Sequence, residues 1–257
     1  MDHLSPQARP AATTVILRDR VGLPPEILFM ERSGNMAFAA GALVFPGGAI
    51  DAQDRDHAAS LATDLPIDEA AARVGAIRET VEESGLAIGF RTQPDRFTTA
   101  ALRNALHEGM SFAELLSDAG LELDLDALIP FARWKPPANE KLARVFDTRF
   151  YLARAVAGSH EPSVDATENM RLFWASALEI LERYGRAEVR VIFPTLRNLE
   201  RLARFHTFDE AAADAGRFPI TTIMPWIEER GGRPCLCIPE NLGYPVTCEF
   251  LDTSMRG

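Results

Sequence analysis

The hydrophobic and polar positions change period several times along the chain. "TTVILR" (13–18) and "EILFMER" (26–32) are β-branched or apolar runs. "DRVGLPP" between them carries Gly and Pro, so the pair reads as a β-hairpin. "GALVFPGG" (41–48) reads as a short apolar strand entering a turn, and residues 49–65, polar and rich in small side chains, as a loop or mobile insertion. From 66 to 84 the period becomes helical. Ala70, Val74, Ile77 and Val81 fall on one face, Pro66, Asp68 and Glu69 suit a first turn, and Gly85 suits a C-terminal stop. Helices are predicted over 97–109, 111–120, 175–185 and 194–205. Strands are predicted over 127–134, 144–156, 221–229 and 234–238. Residues 1–12 read as a loose tail. The mixture of strands and helices places the chain in the α/β or α+β class.

The helix over 66–84 raises a question of chemistry. At about 100° per residue, Glu79, Glu82 and Glu83 share one face, opposite the apolar stripe. Arg78, four residues before Glu82, is within reach of an i, i+4 pair. A solvated charged face is the ordinary meaning of such a run. Yet like charges at these spacings repel, and a hard divalent cation with oxygen ligands removes that cost. Gly47 and Gly48, thirty residues before Arg78, let the backbone turn sharply and approach the helix closely.

Composition narrows the partners. Net charge is -10 over 257 residues, which disfavours a broad nucleic-acid surface. A phosphorylated small molecule is still compatible if metal ions bridge the like charges. No run reaches the roughly 20 apolar residues of a membrane span, and the first residues show no apolar signal-peptide core. Cys235, Cys237 and Cys248 make no disulfide framework and read as buried strand cysteines. A reducing, cytoplasmic location is expected. Trp134, Trp174 and Trp226 read as core anchors. Leu196, Leu199, Leu202 and Phe205 have the spacing of a core face or a homodimer contact, with core the default.

A strand, a double-glycine turn and a carboxylate helix together resemble the Nudix box, G-x5-E-x7-R-E-U-x-E-E-x-G-U. Gly48 fills its start, and Arg78, Glu79, Glu82, Glu83, Gly85 and Leu86 fill its second half. Thirty residues separate Gly48 from Arg78, against fourteen in the standard box. Counted back from Arg78, the early glutamate falls on Ala70, with Glu69 one position off and Asp51 just after the turn. Thr80 stands at a position that is usually aliphatic. The insertion, and stretches such as "SFAELLSDAGLELDLDALIPFARWKPP" and "RVFDTRFYLA", resemble the peroxisomal coenzyme A and acyl-CoA diphosphatase branch. Against that branch's coenzyme A signature, Leu28, Arg32, Ser33, Gly41, Phe45, Pro46, Gly47 and Gly48 match, while Ala37 replaces its second arginine.

The resemblance implies a Nudix-type α/β/α sandwich with a mixed sheet. It would be one enlarged domain over 13–257, with a box insertion at about 49–65 and extra helices at about 97–120. It implies Mg2+ or Mn2+ on Glu79, Glu82, Glu83 and the Gly48 carbonyl, with Arg78 orienting the carboxylates. Glu168, six residues before Trp174, is a further ligand or base candidate. Arg32 and Arg149 are candidates for substrate phosphate. The implied reaction is hydrolysis of a diphosphate linked to another moiety, coenzyme A or acyl-CoA first. ADP-ribose, a dinucleotide or a nucleoside triphosphate are sibling substrates. A catalytically silent nucleotide-binding domain is the reading from a different class.

Overall fold

The structure is a computed structural model and describes residues 8–32, 41–136, 145–156, 161–163 and 169–251. β1 (Arg9–Arg20) and β2 (Leu23–Arg32) form the expected antiparallel hairpin. β3 (Ala42–Val44) pairs with β2, and β4 (Gly47–Ala49) pairs with β1. With β5 (Ile129–Trp134), β6 (Phe146–Arg154), β7 (Asn169–Ser176), β8 (Arg190–Val191) and β9 (Thr222–Ile223) they build one mixed sheet. Its order is β8-β3-β2-β1-β6-β5-β9, with β4 on β1 and β7 on β2. β10 (Trp226–Arg230), β11 (Arg233–Cys237) and β12 (Cys248–Phe250) form a separate three-stranded antiparallel sheet.

β1 explains the layering. It lies between β2 and a parallel β6 and is buried on both faces, so its alternate side chains serve two cores. Ala12 and Ile16 face the cluster built on α1 (Ala52–Ser60), α2 (Ile67–Ser84), α3 (Arg96–His107) and α4 (Phe112–Ala119). Val15 and Leu17 face the cluster built on α5 (Ala177–Gly185), α6 (Phe193–Leu202) and α7 (Phe208–Ala215). The result is the α/β/α sandwich with a mixed sheet. In α2, Ala70, Val74, Ile77 and Val81 are all buried, as the helical period required. In α6, Leu196, Leu199 and Leu202 are buried in the core and Phe205 packs against it, so that stripe is already covered within the chain.

Several expectations need correction. The tail read over 1–12 is too long, because β1 starts at Arg9, where the backbone hydrogen-bonds to Val145. The segment read as a loop contains α1. Its sequence has almost no apolar face, so hydrophobic period could not reveal it. Its start is fixed instead by polar contacts, the Asp51 N–H donating to Asp54 Oδ2 at 2.8 Å. Strand β7 and helix α7 were also missed. Thr207, whose hydroxyl accepts the Glu210 N–H, is a capping signal that marks α7 in hindsight. Trp134 is a buried anchor, but Trp226 is 42% exposed on the edge strand β10. Trp174 is only partly buried and carries the Arg18 guanidinium 4.3 Å from its ring. Glu168, Ser33 and Ala37 lie outside the described residues.

Helix α6 also carries a buried charge imbalance. Arg197 Nη2 donates both to Glu200 Oε1 at 2.8 Å and to Glu249 Oε2 of β12 at 3.0 Å, so one cation serves two carboxylates. Burial first, and the Glu249 charge second, push the Glu200 carboxyl up to about 7 against the pull of Arg197. Below about pH 4.5 Glu200 is protonated whether the chain is folded or not. Between there and pH 7 the unfolded chain releases a proton that the fold retains, so stability falls as pH rises through that window. Glu200→Gln is expected to flatten this slope and to raise stability above pH 7 by on the order of 1–2 kcal/mol. Urea midpoints from pH 4.5 to 8 check it. An unchanged slope in the variant would remove Glu200 as its source.

Candidate active site

The site is organised around Arg78, whose side chain is only 11% exposed. A guanidinium has five N–H donors in a fixed fork. Here Nε donates to Asp54 Oδ1 at 2.8 Å, and Nη2 donates to Asp54 Oδ2 at 2.9 Å and to the Ala49 carbonyl at 3.1 Å. Nη1 donates to Glu79 Oε1 at 3.0 Å and to Glu82 Oε2 at 2.9 Å. All five donors are used. Burial works against the charge, but the hydrogen bonds and carboxylates around it outweigh burial and hold its pKa above the usual arginine range.

Asp54 is the residue that sequence reasoning missed. It is 2% exposed, and its bidentate pair with Arg78 ties α1 to α2. It lies six residues after Gly48, the spacing of the early glutamate in G-x5-E. Counting forward from Gly48 finds it, whereas counting back from Arg78 lands on Ala70. The insertion thus falls after the early acid, between Asp54 and Arg78. The other two substitutes do not fill that place. Glu69 pairs with Arg73 at 3.0 Å, and Asp51 stands 3.7 Å from Arg78.

The glutamates sit against the β4 turn. Glu83 accepts the Gly47 N–H at 2.8 Å. A Cβ at Gly48 would lie 2.5 Å from the Glu79 carboxyl, so only glycine allows this approach. Thr80, in the usually aliphatic position, is fully buried. Its hydroxyl lies 2.7 Å from the Ala76 carbonyl and 3.1 Å from the Thr14 hydroxyl on β1, so its polar group has partners in the core. The last turn of α2 is closed from outside as well. Gly85 takes the left-handed conformation (φ 68°). Arg103 of α3 donates to the Glu82 carbonyl at 2.7 Å, to the Glu83 carbonyl at 3.2 Å and to Ser163 Oγ at 2.9 Å. The Ser163 N–H donates to the Ser84 carbonyl at 3.0 Å. These bonds satisfy carbonyls that a helix end leaves unpaired.

Burial is the first cause that pushes Glu79 up to about 7, with Glu82 and Asp54 adding and Arg78 opposing. Burial likewise raises Glu82, again against Arg78. One arginine therefore stands among four acids, Asp54, Glu79, Glu82 and Glu83, and negative charge is in surplus. Carboxylate and carbonyl oxygens form the donor set that hard divalent cations take, and the tight Gly48–Glu79 approach puts the turn's backbone beside it. The residues fit such an ion by donor chemistry and charge. Among the described residues the side chains do not converge into a three-ligand cluster, because Arg78 bridges Glu79 and Glu82 while Glu83 turns to Gly47.

The remaining candidates lie apart. Arg32 ends β2 opposite Asn169, at the start of β7. Arg149 lies one strand from Ala12, which pairs with Gly48 on its other side. Its guanidinium is drawn instead to Glu69 at 3.5 Å. Glu69 is ten residues before Glu79, about 15 Å along the helix axis.

Comparison with known proteins agrees with this geometry. The family model of the NUDT19 Nudix domain matches residues 55–202, more than half of the chain. Acyl-coenzyme A diphosphatase NUDT19 of Gallus gallus is 27% identical over 238 residues, covering 72% of this chain and 63% of the relative. The protein of the same name from Homo sapiens is 23% identical, covering 72% and 62%. The chain thus spans about three fifths of the length of these curated relatives. The crystal structure of a NUDIX hydrolase from Alicyclobacillus acidocaldarius superposes with a TM-score of 0.69 at 29% identity, covering 80% of this chain and 96% of that one. A carboxylate helix ordered by one arginine against a glycine turn, on an α/β/α sandwich, and a family match over most of that region lead to one assignment: the chain belongs to the Nudix hydrolases, in the NUDT19 Nudix-domain family.

Proposed function

We propose that the chain hydrolyses the diphosphate of coenzyme A or acyl-CoA, releasing 3',5'-ADP and (acyl-)4'-phosphopantetheine. The observation that carries this reading is the carboxylate face ordered by Arg78 beside Gly48. The name of the curated relatives supports the choice of substrate. Glu79, Glu82, Glu83 and the Gly48 carbonyl would hold Mg2+ or Mn2+. Bound there, the ion would offset phosphate charge and lower the pKa of an attacking water.

The chain's own residues supply order. Arg78 fixes the rotamers of Glu79 and Glu82. Asp54 fixes Arg78, so it is a positioning residue for the carboxylates. Arg103 and Gly85 hold the helix end from which Glu82 and Glu83 project. Such fixed placement is the form in which positioning and electrostatics lower a barrier. Arg32 and Arg149 are the substrate-phosphate candidates, and Arg149 would first have to leave Glu69. Glu168 enters this reading as a further ligand or base on its spacing to Trp174 alone. No helix among the described residues is long and apolar enough to cross a membrane, and the proposed substrate is a small phosphorylated molecule.

Product analysis with Mg2+ and, separately, coenzyme A, acetyl-CoA, ADP-ribose and NADH tests the reading. Coenzyme A or its thioester is expected to yield 3',5'-ADP. Glu82→Gln is expected to lose about 100-fold or more in turnover with an unchanged melting temperature. AMP from ADP-ribose or NADH would keep the chemistry and move the substrate. No turnover of any of the four with Mg2+ or Mn2+ would sink the proposal.

Asp54→Asn keeps the shape and removes the charge that holds Arg78. Turnover is expected to drop about 10- to 100-fold, and stability to fall by about 3 kcal/mol, because a buried cation loses its main partner. Steady-state rates and urea midpoints read the two effects separately. Wild-type behaviour in both would deny the pair a positioning role.

A further inference from the structure

The small C-terminal sheet holds all three cysteines of the chain. Cys235 and Cys237, two residues apart on β11, share a face and are both buried, at 1% and 0% exposure. Cys248 on β12 is half-buried and stands opposite Cys237 in the antiparallel register. The Ile238 N–H donates to the Thr247 carbonyl at 2.9 Å. That bond joins the residue after Cys237 to the residue before Cys248. Cys237 and Cys248 are therefore a non-hydrogen-bonded pair, the type in which opposed Cα atoms are about 4.5 Å apart and side chains approach most closely. A disulfide accepts Cα separations of roughly 4.4–6.8 Å. Cys235 faces Phe250 and is diagonal to Cys248. Its thiol also reaches Cys248 by a side-chain hydrogen bond, but the separation of a diagonal pair, typically about 7–8 Å, is longer than a disulfide spans.

The two members of the pair differ in reactivity. Burial pushes the Cys237 thiol up to about 11, and the adjacent Cys248 thiol adds to the shift. Cys237 is thus almost wholly protonated near neutral pH and shielded from solvent. Cys248 is the thiol that an oxidant reaches first.

We infer that Cys237 and Cys248 are an oxidation site that closes to an intrachain disulfide on reaction with a hydroperoxide. The Cys248 sulfur attacks the peroxide, an S–O bond forms as the O–O bond breaks, and water or an alcohol leaves. Cys237 sulfur then attacks the Cys248 sulfenic acid. The S–S bond forms, the S–O bond breaks, and water leaves carrying the Cys237 proton. The two thiols give up two electrons and the hydroperoxide is reduced. Glu249, the next residue after Cys248, is bonded to buried Arg197 of α6, so the disulfide also secures the contact between this sheet and the main core.

The test treats the full-length chain with hydrogen peroxide, alkylates it after unfolding, and maps the linked peptides by mass spectrometry. Two of the three thiols are expected to be lost, in a Cys237–Cys248 peptide. The melting temperature is expected to rise by about 5 °C and to return with dithiothreitol. Cys235→Ser is expected to behave like wild type, and Cys237→Ser to leave Cys248 as a sulfenic acid that dimedone traps. Three alkylatable thiols after oxidation, a Cys235–Cys248 link, or links only between chains would overturn the inference. If Cys237→Ser does not fold, the linked peptide in wild type and Cys235→Ser decides alone.

Discussion

The fork of Arg78 is the interaction on which the rest of the site depends. A guanidinium cannot deprotonate at any physiological pH, so its five donors form a permanent, planar template. Two donors hold Asp54, one holds the backbone of the β4 turn, and two hold the glutamates. Without such a template, Glu79 and Glu82 would repel each other across one helix face. With it, both acquire fixed positions while the local charge remains negative. The arrangement is costly to bury and is retained where the surplus charge has a use.

The sheet sets the second constraint. Ala12 of β1 pairs with Gly48 of β4, while Thr14 of the same strand meets Thr80 of α2. One central strand thus positions both the glycine turn and the helix that carries the carboxylates. The absence of a Cβ at Gly48 then lets the Glu79 carboxyl come close against the turn. The helices inserted after the box serve the same helix from its far end, because Arg103 completes the hydrogen bonding of its last turn.

The parts of the fold that follow hydrophobic period were legible in the sequence. The β1–β2 hairpin, α2 and the face on which Glu79, Glu82 and Glu83 lie all come from spacing and turn residues, and so does the burial of Val74, Ile77 and Val81. What escaped depends on tertiary polar contacts. α1 has no apolar stripe, and its identity as a helix rests on Asp54, which looks like any surface acid until Arg78 is placed beside it. Trp226 carries the residue type of an anchor, but it lies on an edge strand whose partner sheet is small. Arg149 has a side chain suited to phosphate, yet a nearer acid, Glu69, engages it.

The position of the insertion has a consequence for how such sites vary between proteins. Asp54 and Arg78 close a 23-residue excursion. Loop-closure entropy grows only logarithmically, so doubling that excursion costs about 0.6 kcal/mol. Because an ion pair rather than chain length fixes the two ends, the connection between the helices, residues 61–66, is free to lengthen, shorten or change sequence with little effect on the carboxylates, whereas the buried stripe of α2 is not. A search written as a fixed spacing is blind to such chains. A search written as two short fragments joined by a required charge pair would recover them.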